Sequence, residues 1–185
     1  MIFSVKEYCT EAIVLDKEDL RELDSRVFFY TKGLGKVVGK ATSARKITSK
    51  LNAHLEPLNL VQLRLIHKNN FQIIDALTID RFSALRHPDR LPQILNLLTF
   101  MKEMTFEEQS DHELWSAFKE ILYSENITYR PLLRSLGFDP QFALCDTCQE
   151  KPHYFIAQDF SFCCQKCLTE ASNNKVCLKS YIPLS

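Results

Sequence analysis

Residues 25–41 read SRVFFYTKGLGKVVGKA, two β-prone runs joined by Lys32, Gly33, Leu34 and Gly35. Glycine supplies the positive φ angles that a tight hairpin needs, so paired strands are expected at 25–31 and 36–41. Outward from this hairpin, further β-prone runs bounded by turn signals stand at 11–15, 58–66 and 71–77. In the fourth run Val61, Leu63 and Leu65 alternate with Leu58, Leu60, Gln62 and Arg64, so one face is apolar throughout and the other turns polar toward its end. Asn69 and Asn70 mark a turn before Phe71. Short strands separated by turns favour a closed or nearly closed sheet over a helical layer.

Residues 42–55, with Ser43, Arg45, Lys46, Thr48, Ser49 and Lys50, are too polar for a core strand and are expected to form a long loop. A five-stranded barrel with a long connection after its third strand is the layout of an oligonucleotide/oligosaccharide-binding (OB) fold, whose strands two and three and adjoining loops face nucleic acid. Charge points to the same elements. Residues 25–55 hold seven Lys or Arg and no Asp or Glu, so in a formally neutral chain the remainder is net −7. A positive segment with aromatic residues beside it is the footprint of a polyanion-binding surface, although a solvated basic face has the same composition. Lys32 and Lys36 flank the hairpin, Lys40 closes the third strand, and Arg45, Lys46 and Lys50 line the loop. Only one of two adjacent strand residues faces outward. Phe28 and Phe29 are assigned to the barrel core and Tyr30 to the surface, where it offers a platform for base stacking.

Beyond Arg81 the periodicity changes. Leu91, Ile94, Leu95, Leu98 and Met101 recur at helical spacing, as do Leu114, Phe118, Ile121 and Leu122 with Trp115 beside them. Ser110 or Asp111 is placed to cap the second helix. A third, from 128 to 136, ends at Gly137 with Pro140 beyond it. Isolated His87, His112 and Trp115 read as packing residues. The fold class expected is α+β, with a barrel over 1–80 and a helical domain over 81–185 that carries a metal finger at about 142–170. No apolar run approaches the roughly 20 residues that span a bilayer, and the start MIFSVKEYC lacks an export signal, so a soluble, cytoplasmic protein is expected. No Walker-type phosphate loop and no nucleophile, base and orienter set is present, which argues against an enzyme.

Seven cysteines in a reducing compartment point to metal or redox chemistry rather than to a disulfide framework. Cys145-Asp-Thr-Cys148 and Cys164-Gln-Lys-Cys167 form two C-x2-C pairs across a short β-prone loop. Each pair turns tightly enough to present two thiolates to one tetrahedral ion. Cys145, Cys148, Cys164 and Cys167 are therefore the expected ligands of a structural zinc; Cys163, beside Cys164, and His153 are able to substitute, but the C-x2-C spacing leaves Cys9, Cys163 and Cys177 as bystanders. The same set can hold iron in an electron-transfer protein, an assignment that leaves the basic barrel unexplained.

In this order, barrel, helices and finger resemble the RecO family of bacterial DNA-repair and recombination-mediator proteins. The resemblance runs through Glu11-Ala-Ile-Val-Leu15, Arg21-Glu-Leu-Asp-Ser-Arg26, Thr31-Lys-Gly-Leu-Gly-Lys36, Ala44-Arg-Lys-Ile-Thr-Ser-Lys50 and Leu55-Glu-Pro-Leu58. It ends in Leu132-Leu-Arg-Ser-Leu-Gly-Phe138 followed by Cys145 and Cys148. It implies a non-enzymatic protein, cytoplasmic and nucleoid-associated, that binds single- and double-stranded DNA and anneals complementary strands. With RecR it would help RecA replace single-strand-binding protein. Carried over by position, Lys32, Lys36, Arg45, Lys46 and Lys50 are the phosphate contacts. Two departures stand out: Ser43 and Ala44 occupy the place of the family's usual glycine before the basic pair, and only eighteen residues follow Cys167, as in a short variant of the family. An RNA-binding or protein-docking adaptor remains the alternative reading of the same modules.

Overall fold

The computed structural model describes residues 5–20, 23–42, 51–173 and 181–184, without the side chains of 171–173. Five strands, β1 (Lys6–Leu20), β2 (Asp24–Thr31), β3 (Gly35–Ala41), β4 (Leu60–His67) and β5 (Phe71–Asp80), close into a barrel in the order β1-β2-β3-β5-β4. This is the OB-like arrangement expected. Closure depends on β1, whose first half pairs with β4 from Lys6↔His67 to Ile13↔Leu60 and whose second half pairs with β2 from Ala12↔Thr31 to Leu20↔Asp24. A strand shared in this way has to bend, and a register shift between Val14 and Asp16 provides the bend. The barrel is completed by a short parallel pairing of β3 with β5 at Gly39↔Phe71 and Lys40↔Gln72.

The alternation read in β4 is present. Val61, Leu63 and Leu65 enter the barrel core with Phe29, Val37 and Ile73, while Arg64 is exposed. The β2–β3 turn is held by the Thr31 hydroxyl, which accepts the Leu34 N–H at 2.9 Å and donates to the Gly35 carbonyl at 2.9 Å. β1 begins five residues before the run expected at 11–15, through a stretch where Lys6, Glu7 and Cys9 are exposed, and ends five residues after it.

Contacts divide the chain into two compact units, Met1–Trp115 and Ser116–Ser185. In the first, a 3-10 turn (Ser83–Arg86) leads to α1 (Leu91–Met104), which packs on β1 and β2. Its buried stripe is Ile94, Leu97, Leu98, Met101 and Met104, whereas Leu95, expected in the stripe, is 47% exposed. Leucines on both flanks satisfy helical spacing, and tertiary contact chooses between them. α2 (His112–Tyr123) begins at Asp111, whose Oδ1 accepts the Leu114 N–H at 2.9 Å. Asp111→Ala should cost about 1 kcal/mol, seen as a lowered melting temperature with no change in folded-state circular dichroism.

In the second unit α3 (Arg130–Ser135) stops at Gly137, φ +87°, where the Phe138 N–H bonds the Leu133 carbonyl at 2.7 Å. β6 (Tyr154–Ile156), β7 (Ser161–Cys163) and β8 (Tyr181–Pro183) form a small sheet in the order β7-β6-β8, and α4 (Gln165–Asn173) follows β7. Among the described residues no helix is long and apolar enough to cross a membrane.

Candidate nucleic-acid interface and metal centre

Strand parity decides what the barrel shows on its outside. In β2 Val27 and Phe29 point into the core, which leaves Arg26, Phe28 and Tyr30 on the outer face. Register sets Arg26 opposite Lys40, Phe28 opposite Val38 and Tyr30 opposite Lys36. On the other side, β1 places Glu18 opposite Arg26 and Asp16 opposite Phe28. The outer face holds an open groove of about 720 Å³ lined by Arg26, Phe28, Lys40, Asn69, Asn70 and Gln72, with the acids Glu107 and Glu108 also on its wall. Cations, amides and an aromatic ring along one groove are the components that a single nucleic-acid strand requires.

The cations named from the sequence separate into groups. Lys32 is exposed on the hairpin turn. Lys40 lines the groove with its ammonium 2.8 Å from Asp24 Oδ2. Lys36 is turned inward: its Nζ donates to the Lys102 carbonyl at 2.8 Å, and burial lowers its pKa from the ordinary lysine value against the opposing pull of Glu107. It anchors α1 to β3. Arg45, Lys46 and Lys50 lie outside the described residues.

Tyr30 corrects an expectation. It does face outward, as parity requires, but it is fully buried, stacked on Trp115 with ring centroids 6.3 Å apart and planes 28° from parallel. Burial, with the Asp111 carboxylate as a lesser cause, raises its pKa well above that of an ordinary tyrosine. The surface platform expected there is covered by a residue eighty-five positions away. Phe28, assigned to the core with Phe29, is instead the half-buried aromatic in the groove. The sequence signal for it is parity alone, because Phe28 shares the face of Arg26 and Tyr30.

The second unit brings four thiols together. The Sγ atoms of Cys145, Cys148, Cys164 and Cys167 all lie within 4.8 Å of one another, and Cys148 and Cys164 are 3.6 Å apart. Zinc–sulfur bonds of about 2.3 Å in a tetrahedron separate the sulfurs by about 3.8 Å, so the donor set fits one such ion. The first knuckle is closed by the Gln149 N–H on the Cys145 carbonyl at 2.8 Å, with Gln149 at φ +62°. The second opens α4, where the Cys167 N–H points at Cys164 Sγ from 3.4 Å. Burial pushes the Cys145 thiol up, but backbone N–H groups of Cys148, Cys164 and Thr147 outweigh it and bring the pKa down to about 6. At Cys148 the backbone N–H of Glu150 is outweighed by burial and the neighbouring thiols, and at Cys167 the Cys148 thiol, with burial, raises the pKa, so the thiolate of the metal-free cluster is favoured at Cys145.

The alternative ligands are not members of this four-sulfur set, although Cys163 packs against it and His153 lines a pocket with Cys148 and Cys164. Cys163 donates to the Cys164 carbonyl at 3.4 Å, and burial pushes its pKa up to about 11. His153 joins the sheet through its backbone, donating to the Cys163 carbonyl at 3.0 Å. Cys9 lies on the barrel, where Gln62 Nε2 reaches its sulfur at 3.2 Å, and Cys177 lies outside the described residues.

Residues 5–82 match the family model described as Recombination protein O N terminal. Over 175 residues, 86% of this chain and 70% of the relative, the chain is 33% identical to the DNA repair protein RecO of Thermodesulfovibrio yellowstonii. The chain belongs to the RecO family. It is also 28% identical to the DNA repair protein RecO of Clostridium novyi over 174 residues (85% of the chain, 68% of the relative) and 26% identical to that of Dehalococcoides mccartyi over 180 (87% and 70%). Arg26, Phe28 and Lys40 fall inside the span matched by the RecO N-terminal model, while Lys102 and the four cysteines lie beyond it.

Proposed function

We propose that this chain is a DNA-binding recombination mediator in DNA repair. It anneals complementary single strands and, together with RecR, helps RecA load onto strands coated by single-strand-binding protein in the bacterial cytoplasm. The observation that carries this reading is the coincidence of RecO-family membership with an open groove on the outer β2–β3 face of the barrel. Arg26 and Lys40 neutralise phosphates there, with Lys32 on the hairpin turn, and Arg45, Lys46 and Lys50 are the further phosphate contacts expected from the sequence. Two strands held with reduced mutual repulsion and with their pairing edges free meet and zip without further chemistry, so the protein acts by binding rather than by catalysis. Zinc at the four cysteines is structural, because four thiolates leave no coordination position for water or substrate.

The test is annealing of two complementary fluorescent oligonucleotides by the full, metal-loaded chain across a salt series. Contact with about four to six phosphates gives a log–log slope of binding against salt near −3 to −4 on single strands. Reversal of Arg26 and Lys40 to Glu should flatten the slope by about 1.4, at about 0.7 for each phosphate no longer neutralised, and slow annealing in parallel. The same measurement on Arg45, Lys46 and Lys50 reports on the loop. A folded chain that does not accelerate annealing at low salt sinks the mediator reading.

A further inference from the structure

With Tyr30 covered by Trp115, Phe28 is the aromatic residue of the β2–β3 outer face that lines the groove, between the Arg26/Lys40 row and the Tyr30/Lys36 row. Its ring is not empty above. Lys102, from the last turn of α1, places its ammonium 3.8 Å from the ring centroid. The same ammonium is 2.7 Å from Asp16 Oδ2 and 3.0 Å from Glu18 Oε1, the two carboxylates that β1 sets beside Phe28 and Arg26. We propose that Phe28 is the base-stacking platform of this face and that Lys102 is a latch on it, held by Asp16 and Glu18 until a strand's phosphate draws the ammonium away.

The chemistry of the exchange is balanced. A cation over an aromatic face is held by the ring quadrupole, and a nucleobase competes for that same face through stacking. A phosphate offers Lys102 the charge that the two carboxylates supply. The Lys102 side chain is 26% exposed, so its head group can turn to the groove while the backbone stays tied by the Lys36 Nζ bond to the Lys102 carbonyl. Asp16 and Glu18 thereby set a threshold: they admit a ligand that brings both a base and a phosphate, and they oppose a bare polyanion.

This inference rests on the nucleic-acid reading of the groove, and the experiment separates the two. The full metal-loaded chain is titrated with an oligothymidylate carrying one 2-aminopurine, whose emission falls when it stacks, across a salt series. Phe28→Leu keeps an apolar side chain at the position and should lower affinity about tenfold with the salt slope unchanged, since stacking releases no counterions, and should abolish the quench. The double variant Asp16→Asn, Glu18→Gln should tighten binding and steepen the slope by about 0.7 as Lys102 becomes a phosphate contact, and adding Lys102→Met should reverse that gain, which separates Lys102 from Arg26, whose guanidinium is 3.8 Å from Glu18 Oε2. It provides the decision should Phe28→Leu not fold. If Lys102 only pins α1 to the barrel, the double variant lowers the melting temperature and leaves the slope where it was, which overturns the latch. Full affinity and full quench in a folded Phe28→Leu overturn the platform. Wild-type protein that does not bind the oligonucleotide removes the interface itself, and this inference with it.

Discussion

Removing the metal with a chelator, or replacing Cys145 with Ser, is expected to unfold the finger cooperatively while the barrel unit stays folded. The buried cluster around the site comprises Cys145, Ile156, Cys163, Cys164, Cys167 and Leu168, with Tyr154 packed against it. Three of those six buried residues are proposed ligands, and the other apolar support is a small aromatic group in which Phe155 meets Phe138 and Phe162. Its sheet consists of strands of three residues each, far below what an independent hairpin needs in water. A structural zinc binds with an apparent free energy of about 10 to 16 kcal/mol at neutral pH, so the ion proposed for this site would be what chiefly keeps the finger folded. Metal analysis should return one zinc per chain, and limited proteolysis after chelation should cut between 145 and 167. The single tryptophan is an internal control: Trp115 stacks on Tyr30 in the barrel unit, so its emission should hold through chelation and change only when the barrel melts. A metal-free chain whose 145–167 segment resists protease as well as before would remove the ion from the folding account.

The parts of this molecule that were legible in the sequence are those fixed by neighbours along the chain. Alternation placed Val61, Leu63 and Leu65 in the core, the turn at Lys32–Gly35 located the hairpin, and C-x2-C spacing named the four thiols that the fold brings together. What was not legible comes from register between distant segments. Residues 25–55 contain no acid, yet antiparallel pairing sets Asp16 and Glu18 of β1 against Phe28 and Arg26, and Asp24 pairs with Lys40. The basic segment is thus neutralised in part by acids that lie outside it along the chain. Tyr30 shows the same limit. Parity correctly aims it outward, but whether outward means solvent depends on Trp115. Arg45, Lys46 and Lys50 lie outside the described residues, and Arg26, Phe28 and Lys40 line the groove.

Gly35→Ala is expected to be the most destabilising small substitution in the barrel. Gly35 sits at φ +70°, where an L side chain costs about 1 to 2 kcal/mol. Conformation is the lesser part of the effect. A Cβ there would overlap both the oxygen and the carbon of the Gln109 carbonyl, and backbone, unlike the end of a side chain, cannot turn aside. Gly137 separates the two causes, since at φ +87° it has nothing within 4 Å of an added Cβ, so Gly137→Ala should cost only about 1 kcal/mol. The segment that Gly35 accommodates is tied to β3 by an isolated bridge, Lys36↔Glu107, and by the Glu108 N–H on the Lys36 carbonyl at 3.0 Å. It occupies part of the β3 edge that the short β3–β5 pairing leaves open. Displacing it moves the start of α2, and with it the Trp115 ring that covers Tyr30. The melting temperature of Gly35→Ala should therefore fall by more than about 10 °C, from a loss of roughly 3 kcal/mol or more. Trp115 emission should shift to the red in the folded state. A variant that keeps both its melting temperature and its emission maximum would mean that the 107–109 segment is not packed on Gly35 in solution, and the burial of Tyr30 would lose its physical basis.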